Sequence, residues 1–303
     1  MTSQPTPGGG LRLAVVIATL GRPGEVAGLL RRLAAQTRPP DRLVLSVTDR
    51  ADVPPDAADR WGAEVVAGPK GLCAQRNRGL DLVRGDCDIV VFFDDDYVPA
   101  SSALAGIAAV FATFPDVAGM MGRLLADGIN SAGIADADAA ALIATFEATE
   151  PQGRPPRIVS EHRGLYGCNM AYRTAMICDA RFDENLPLYA WQEDVDFAAQ
   201  LLARGRLVKS DALVGVHKGV KGGRPSERRL GYSQIANPVY LIRKGTMRLA
   251  FAARLMLGNI AANHLKAFAP EPWVDRRGRM RGNWIAIKDM VLGRLTPTRM
   301  LDL

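Results

Sequence analysis

The chain has 303 residues, 48% of them hydrophobic and 23% charged, which excludes a disordered or fibrous protein and allows one large α/β domain or two modest ones. No apolar run reaches the ~18 residues of a membrane span. The four cysteines, Cys73, Cys87, Cys168 and Cys178, form neither a C-x-x-C pair nor a metal-ligand spacing with histidine, and predict reduced thiols in a cytoplasmic protein.

MTSQPTPGGG has no basic segment ahead of an apolar core, so residues 1–10 are expected to be a flexible tail and not a signal peptide. LRLAVVIATL (11–20) predicts a strand ending at Gly21-Arg22-Pro23, with Pro23 tolerated at the start of a helix over 24–36. Val26, Leu29, Leu30 and Leu33 hold the apolar spacing of that helix, and RLVLSVTD (42–49) is the next strand. A strand, helix and strand of these lengths imply parallel pairing by a right-handed crossover. A connection with one helical turn (50–63), a short strand (63–68) and a helix (71–83) follow.

IVVFFDDDYVP (89–99) is the most informative stretch. Its β-branched and aromatic run reads as a strand buried on both faces, and Tyr97-Val98-Pro99 is expected to stop it. Asp94, Asp95 and Asp96 then stand at the C-terminal end of a buried strand, where open α/β sheets bind ligands. Three adjacent carboxylates repel one another unless a cation or hydrogen-bond donors compensate, and hard divalent cations favour oxygen ligands. This points to a metal and phosphate site.

A helix over 101–115 is expected to be capped by Ser101 or Ser102, and 116–128 to be a strand running into a loop. Residues 127–160, alanine-rich and then Pro/Arg-rich, read as a binding loop that orders with ligand. Residues 164–177 combine a glycine turn, Asn169 and a strand-to-helix passage. Glu193 and Asp194 fall in the first turn of a helix that runs toward Gly205, where the helix dipole favours charged carboxylates. RLVKSDALVGVHKG (206–219) is one strand or two short ones, ending at His217 and Lys218 ahead of a basic glycine-rich loop. From Arg224 to Arg299, basic pairs such as Arg228-Arg229, Arg243-Lys244 and Arg276-Arg277 alternate with apolar stretches instead of stacking aromatics. Such a segment reads better as a membrane-surface element than as a nucleic-acid groove, and helices with solvated basic faces give the same pattern.

Taken in order, VVIATLGRP, RLVLSVTD, GLCAQRNRGL, FFDDDYVP, GCNMAYR and WQEDVDFAAQLLARG resemble the inverting family 2 glycosyltransferases of GT-A fold, over residues 11–220. The resemblance implies a Rossmann-type mixed sheet flanked by helices, occupying 11–222, with a helical basic extension over 223–303. It implies a nucleotide-diphosphate sugar donor, UDP by analogy, and a Mg²⁺ or Mn²⁺ ion that acts as Lewis acid on the leaving diphosphate. By position, Asp96, Asp94 and His217 correspond to metal contacts. Thr19, Asp49, Arg76, Asn77, Asp94, Asp95 and Lys218 correspond to the nucleotide and its diphosphate. Asp194 matches the base that deprotonates the acceptor, with Glu193 its nearest rival, and Tyr189, Trp191 and Asn169 fall on the acceptor side. The second strand ends SVTDRAD where other members carry paired acids, which loosens the assignment of Asp49. The expected partners are the donor and a saccharide or lipid-linked acceptor at the inner face of the cell membrane, with no nucleic acid. A sugar nucleotidyltransferase, whose phosphate loop LGRPGE is too short to supply, and a non-catalytic membrane-associated scaffold on the same fold are the alternatives.

Overall fold

The computed structural model describes residues 10–150, 154–222 and 226–303. All but Gly10 of the expected tail, and residues 223–225 where the basic extension was expected to begin, lie outside the described residues.

Residues 13–94 alternate strand and helix: β1 (Leu13–Ala18), α1 (Pro23–Ala34), β2 (Arg42–Val47), α2 (Ala57–Trp61), β3 (Glu64–Ala67), α3 (Leu72–Val83) and β4 (Ile89–Asp94). The strands pair in parallel in the order β3-β2-β1-β4. Both faces of the central strands are covered, which is why β1 is wholly apolar and β4 is apolar up to the carboxylate that ends it. Leu13, Val15 and Ile17 pack toward α1 with Leu29, Leu30 and Leu33, whereas Ala14 and Val16 pack toward α3 with Leu80 and Val83. At Gly79 the approach of α3 to β1 is so close that a Cβ would lie 2.3 Å from Val16 Cγ1.

The remaining strands turn the sheet mixed. After β5 (Tyr97–Pro99) and α4 (Ala103–Thr113) come β6 (Val117–Asp127), α5 (Asp136–Thr149), β7 (Ile158–His162), β8 (Asn169–Arg173), α6 (Thr174–Ile177), α7 (Glu193–Ala199) and β9 (Arg206–His217). The order continues from β4 through β8, β6 and β9 to β5, with β7 also paired to β9. Tyr97-Val98-Pro99 therefore does more than stop β4. It forms a short edge strand against β9, a place where proline is tolerated.

Two further expectations are corrected. The stretch 127–160 is not one long loop, because α5 fills 136–149 and seats Ala139 and Ile143 with Val214 and Val216 in a small core of their own. Ser102 precedes α4 without a side-chain capping bond. Gln36 caps instead, its Oε1 accepting the Leu104 N–H at 3.0 Å while its Nε2 donates to the Ala100 carbonyl at 2.8 Å.

Three C-terminal helices, α8 (Glu227–Lys244), α9 (Leu249–Leu265) and α10 (Arg276–Val291), follow. They do not stand apart from the sheet. Leu241, Met247 and Ala252 belong to the same apolar cluster as Phe92, Tyr172, Phe182 and Phe197. No helix is long and apolar enough to cross a membrane, among the described residues.

Candidate functional site

Sheet register gathers the site. Ala18 of β1 stands opposite both Ser46 of β2 and Asp94 of β4, so three parallel strands end at one level. On the mixed side, Tyr97 and Asp127 are both register partners of His217. The acidic triplet, Asp127 and His217 are thus brought together by pairing between segments far apart in sequence.

Asp94, Asp96 and His217 each offer a ligand atom, all within 4.8 Å of one another. His217 Nδ1 lies 2.8 Å from Asp127 Oδ1, an outer carboxylate that orients the ring and leaves Nε2 facing Asp96, 3.5 Å away. Burial alone would lower the His217 pKa, but Asp127, Asp96 and Asp94 outweigh it and push it to about 10, so a cation bound there would displace the Nε2 proton. Burial pushes Asp96 up, yet His217 and the Val220 N–H (2.7 Å) prevail and hold it at about 2. Two carboxylates and an imidazole converging in this way fit a divalent cation. Asp95 faces elsewhere. It accepts from Thr19 Oγ1 at 2.7 Å and Arg22 at 2.9 Å, and burial raises its pKa to about 6.

Two cavities meet here, one of about 370 Å³ and one of about 730 Å³, sharing Leu72, Asp94, Ile129, Tyr189 and His217. The smaller lies over the ends of β1 and β4 and is faced by Thr19, Arg22, Gln75, Lys70 and Arg229. The three cations among these stand against Asp94, Asp95 and Asp96 on the same wall, with Arg22 paired to Asp95, so the cavity holds both the carboxylates for a cation and the cations for a diphosphate. Its floor is fixed by side-chain bonds to backbone: Gln75 Nε2 donates to the carbonyls of Thr19 (2.7 Å) and Ser46 (2.8 Å).

The larger cavity holds the second carboxylate group. Arg76, fully buried, donates to Glu193 (2.6 Å), Asp94 (2.9 Å) and the Gly167 carbonyl (3.0 Å), and so ties both carboxylate groups to one guanidinium. Asp194 accepts from the N–H of Gly167 and of Val195, each at 2.8 Å. Sequence reasoning expects the start of α7 to favour charged carboxylates, but burial wins. Burial, helped by Asp194, pushes Glu193 to about 8 against the pull of Arg76, and burial likewise raises Asp194. Glu193 is locked to Arg76, whereas Asp194 is only partly buried on the cavity wall. Before α7, Leu188, Ala190 and Gln192 have φ of 57°, 52° and 77°. These left-handed residues alternate with Tyr189 and Trp191, both of which line the cavity, a local strain of the kind that accompanies functional sites. The wall is completed by residues 245–248, in the turn between α8 and α9, and by Phe251 of α9.

Other expected residues are placed elsewhere. Asn77 bonds to the backbone of Phe182 and to Glu184, and lines neither cavity. Lys218 sends its ammonium to Glu25 and Asp136. Asn169 is buried with its Nδ2 3.5 Å from the Tyr97 hydroxyl. Arg76 lines the larger cavity rather than the smaller. Asp49 is exposed and caps the turn over Arg50–Asp52, lining neither cavity. Asp52, three residues on, is the buried acid there, accepting from the N–H groups of Gly21 (2.6 Å), Thr48 (2.8 Å) and Asp49 (2.9 Å). Sequence reasoning missed Asp52, Lys70, Asp127 and Arg229. For Asp52 the signal was the second acid of TDRAD, and for Asp127 the acid that ends a long strand.

The model of glycosyl transferase family 2 matches residues 14–174. The chain belongs to this family. As a family 2 glycosyltransferase it has the GT-A fold, and it is similar to S. aureus TarS 1-349 in complex with UDP-GlcNAc, with TM-score 0.54, 14% identity, and coverage of 94% of this chain and 93% of that one. A mannosyltransferase from Pyrobaculum calidifontis in complex with GDP-Man and Mn²⁺ gives TM-score 0.53, 17% identity, and coverage of 98% and 85%. Against the longer S. aureus TarS chain (TM-score 0.52, 17% identity), the match covers 86% of this chain and 44% of that one. No curated protein sequence matches the chain significantly.

Proposed function

We propose that this family 2 member transfers a sugar, with inversion, from a nucleotide-diphosphate donor in the smaller cavity to an acceptor hydroxyl in the larger one. The observation that carries this reading is the meeting of the two cavities at Asp94, His217 and Tyr189, with the metal-type ligand set on one side and Asp194 on the other. Asp94, Asp96 and His217 would hold Mg²⁺ or Mn²⁺, which as a Lewis acid stabilises the charge growing on the leaving diphosphate. Arg22, Lys70 and Arg229 add positive charge around that diphosphate. Asp194 takes the proton from the acceptor hydroxyl as its oxygen bonds to the anomeric carbon and the bond from that carbon to the diphosphate breaks. Burial raises the Asp194 pKa, which strengthens it as a base. Glu193, paired with Arg76, positions the guanidinium that holds Asp94. Uridine is the base we assign, supported by the likeness to TarS with UDP-GlcNAc, and the acceptor is a saccharide or a lipid-linked saccharide.

Calorimetry with UDP and GDP, with and without Mn²⁺, tests the reading. Mn²⁺-dependent binding of UDP that is lost in Asp96→Ala is expected. Absence of binding by every nucleoside diphosphate would sink it and leave a non-catalytic scaffold as the better account.

A further inference from the structure

α9 is apolar almost all round, a pattern that belongs to a core or a lipid phase and not to a water interface. One side does reach a core, with Ala252 beside the Phe92 cluster and Asn263 fully buried against Gln234 and Asn283. The other side is uncovered. Leu257 is 67% exposed, Leu265 75%, and Phe268 just beyond the helix 91%. Within α9 only Arg254 carries a full charge.

α10 runs alongside, its half-exposed Trp284 meeting His264 edge to face at 5.7 Å. Its exposed positions recur as Arg277, Arg281, Trp284, Lys288 and Val291, one stripe at helical spacing. Neither Arg281 nor Lys288 has an acidic partner among the described residues. The nearby acids are already engaged: Glu271 with Lys266 and Arg276, Asp289 buried under Arg294, and Asp275 capping α10. Residues 249–294 hold eight lysines and arginines against three acids, most of the chain's net charge of +6.

We propose that the α9 face and the α10 stripe together dock on an anionic bilayer surface. α9, about 25 Å long, lies in the membrane plane with its apolar side at the acyl boundary, while Arg277, Arg281 and Lys288 meet lipid phosphates. A second copy of this chain would cover the apolar side equally well, but it would bring like charges toward the same stripe. The docked face starts at the rim of the larger cavity, which Arg248 and Phe251 line. That places the cavity mouth at headgroup level, where a lipid-linked acceptor can enter from the membrane. This last step rests on the reading of the larger cavity as the acceptor site.

Co-sedimentation of the full chain with phosphatidylcholine vesicles, with and without phosphatidylglycerol, tests the docking directly. Binding to the anionic vesicles that weakens with salt is expected, with a loss of about tenfold or more in Leu257→Glu/Phe268→Glu and in Arg281→Glu/Lys288→Glu. Mn²⁺-dependent nucleotide binding should be unchanged in both double variants, which shows that they are folded. No sedimentation of the wild type with anionic vesicles overturns the proposal, as does binding indifferent to both variants. A dimer in light scattering that Leu257→Glu dissociates overturns it in favour of a second copy. If the wild type binds vesicles but no nucleotide, the donor reading fails and the docking stands.

Discussion

The two cavities are walled by different means. Around the smaller one, geometry follows from strand register: β1, β2 and β4 end together, and short turns are pinned to backbone by Gln75 and Asp52. Around the larger one, the walls come from segments widely separated in sequence, the loop at Gly167, the start of α7 and residues 245–251. Side chains join them: Arg76 bridges to Glu193, and Asp196 receives Lys244 at 2.7 Å and Thr246 at 2.6 Å. Strand register can thus set the level of a nucleotide platform, while the acceptor wall depends on side-chain contacts between loops and helix ends.

Changing the proposed base should break this comparison most sharply. Asp194→Asn is expected to lower kcat by about 10²–10⁴-fold with nucleotide affinity in Mn²⁺ unchanged, because the residue belongs to the acceptor wall only. Steady-state kinetics beside calorimetry check this. If Asp194→Asn keeps near-normal turnover and Glu193→Gln loses it, the two residues exchange roles.

On the platform side, Asp52→Asn should cost stability, about 1.5–3 kcal/mol at neutral pH, since hydrogen bonds to a charged carboxylate are lost from two turns. Burial alone would raise the Asp52 pKa, but the N–H groups of Asp49, Gly21 and Thr48 lower it below the usual 3.8. A carboxylate depressed in this way stabilises the fold above its unfolded pKa, and that contribution is lost as pH falls through the folded value. Wild type and variant should therefore begin to converge in urea melts as pH falls below about 3.8 and meet once it is below the lowered folded-state value. A difference that persists there would show that the amide fails for some reason other than charge.

The same contrast decides what could be read from sequence. The parallel strands announce themselves as short runs rich in Val, Leu and Ile, so β1, β2, β4 and the carboxylates at the end of β4 were legible. α5 was not, since an alanine-rich helix that buries only Ala139 and Ile143 shows little apolar periodicity. Asp49 and Asp52 are two acids in one short turn, and only the fold shows which is buried. Asp127 is recognisable only once β6 and β9 are in register. Losing its carboxylate in Asp127→Asn should weaken Mn²⁺ affinity about 10–100-fold while leaving the fold intact, the usual effect of removing the outer partner of a ligating histidine. Calorimetric titration of Mn²⁺ in the presence of UDP measures it, and an unchanged affinity would remove His217 from the ligand set.

The smallest effect tests whether the acceptor wall is a separable part. Thr246→Val keeps the shape of the side chain but removes its hydrogen bond to the buried Asp196, at a cost of about 1 kcal/mol. Lys244 still pairs with Asp196, so the junction loosens without opening. Thr246 lines the larger cavity and not the smaller. The KM for acceptor should then rise a few-fold, because the loosened turn carries cavity-lining residues, with kcat and nucleotide affinity held. A matching fall in nucleotide affinity would show strain passing through Arg76 into the strand ends, and the two walls would have to be treated as one cooperative unit.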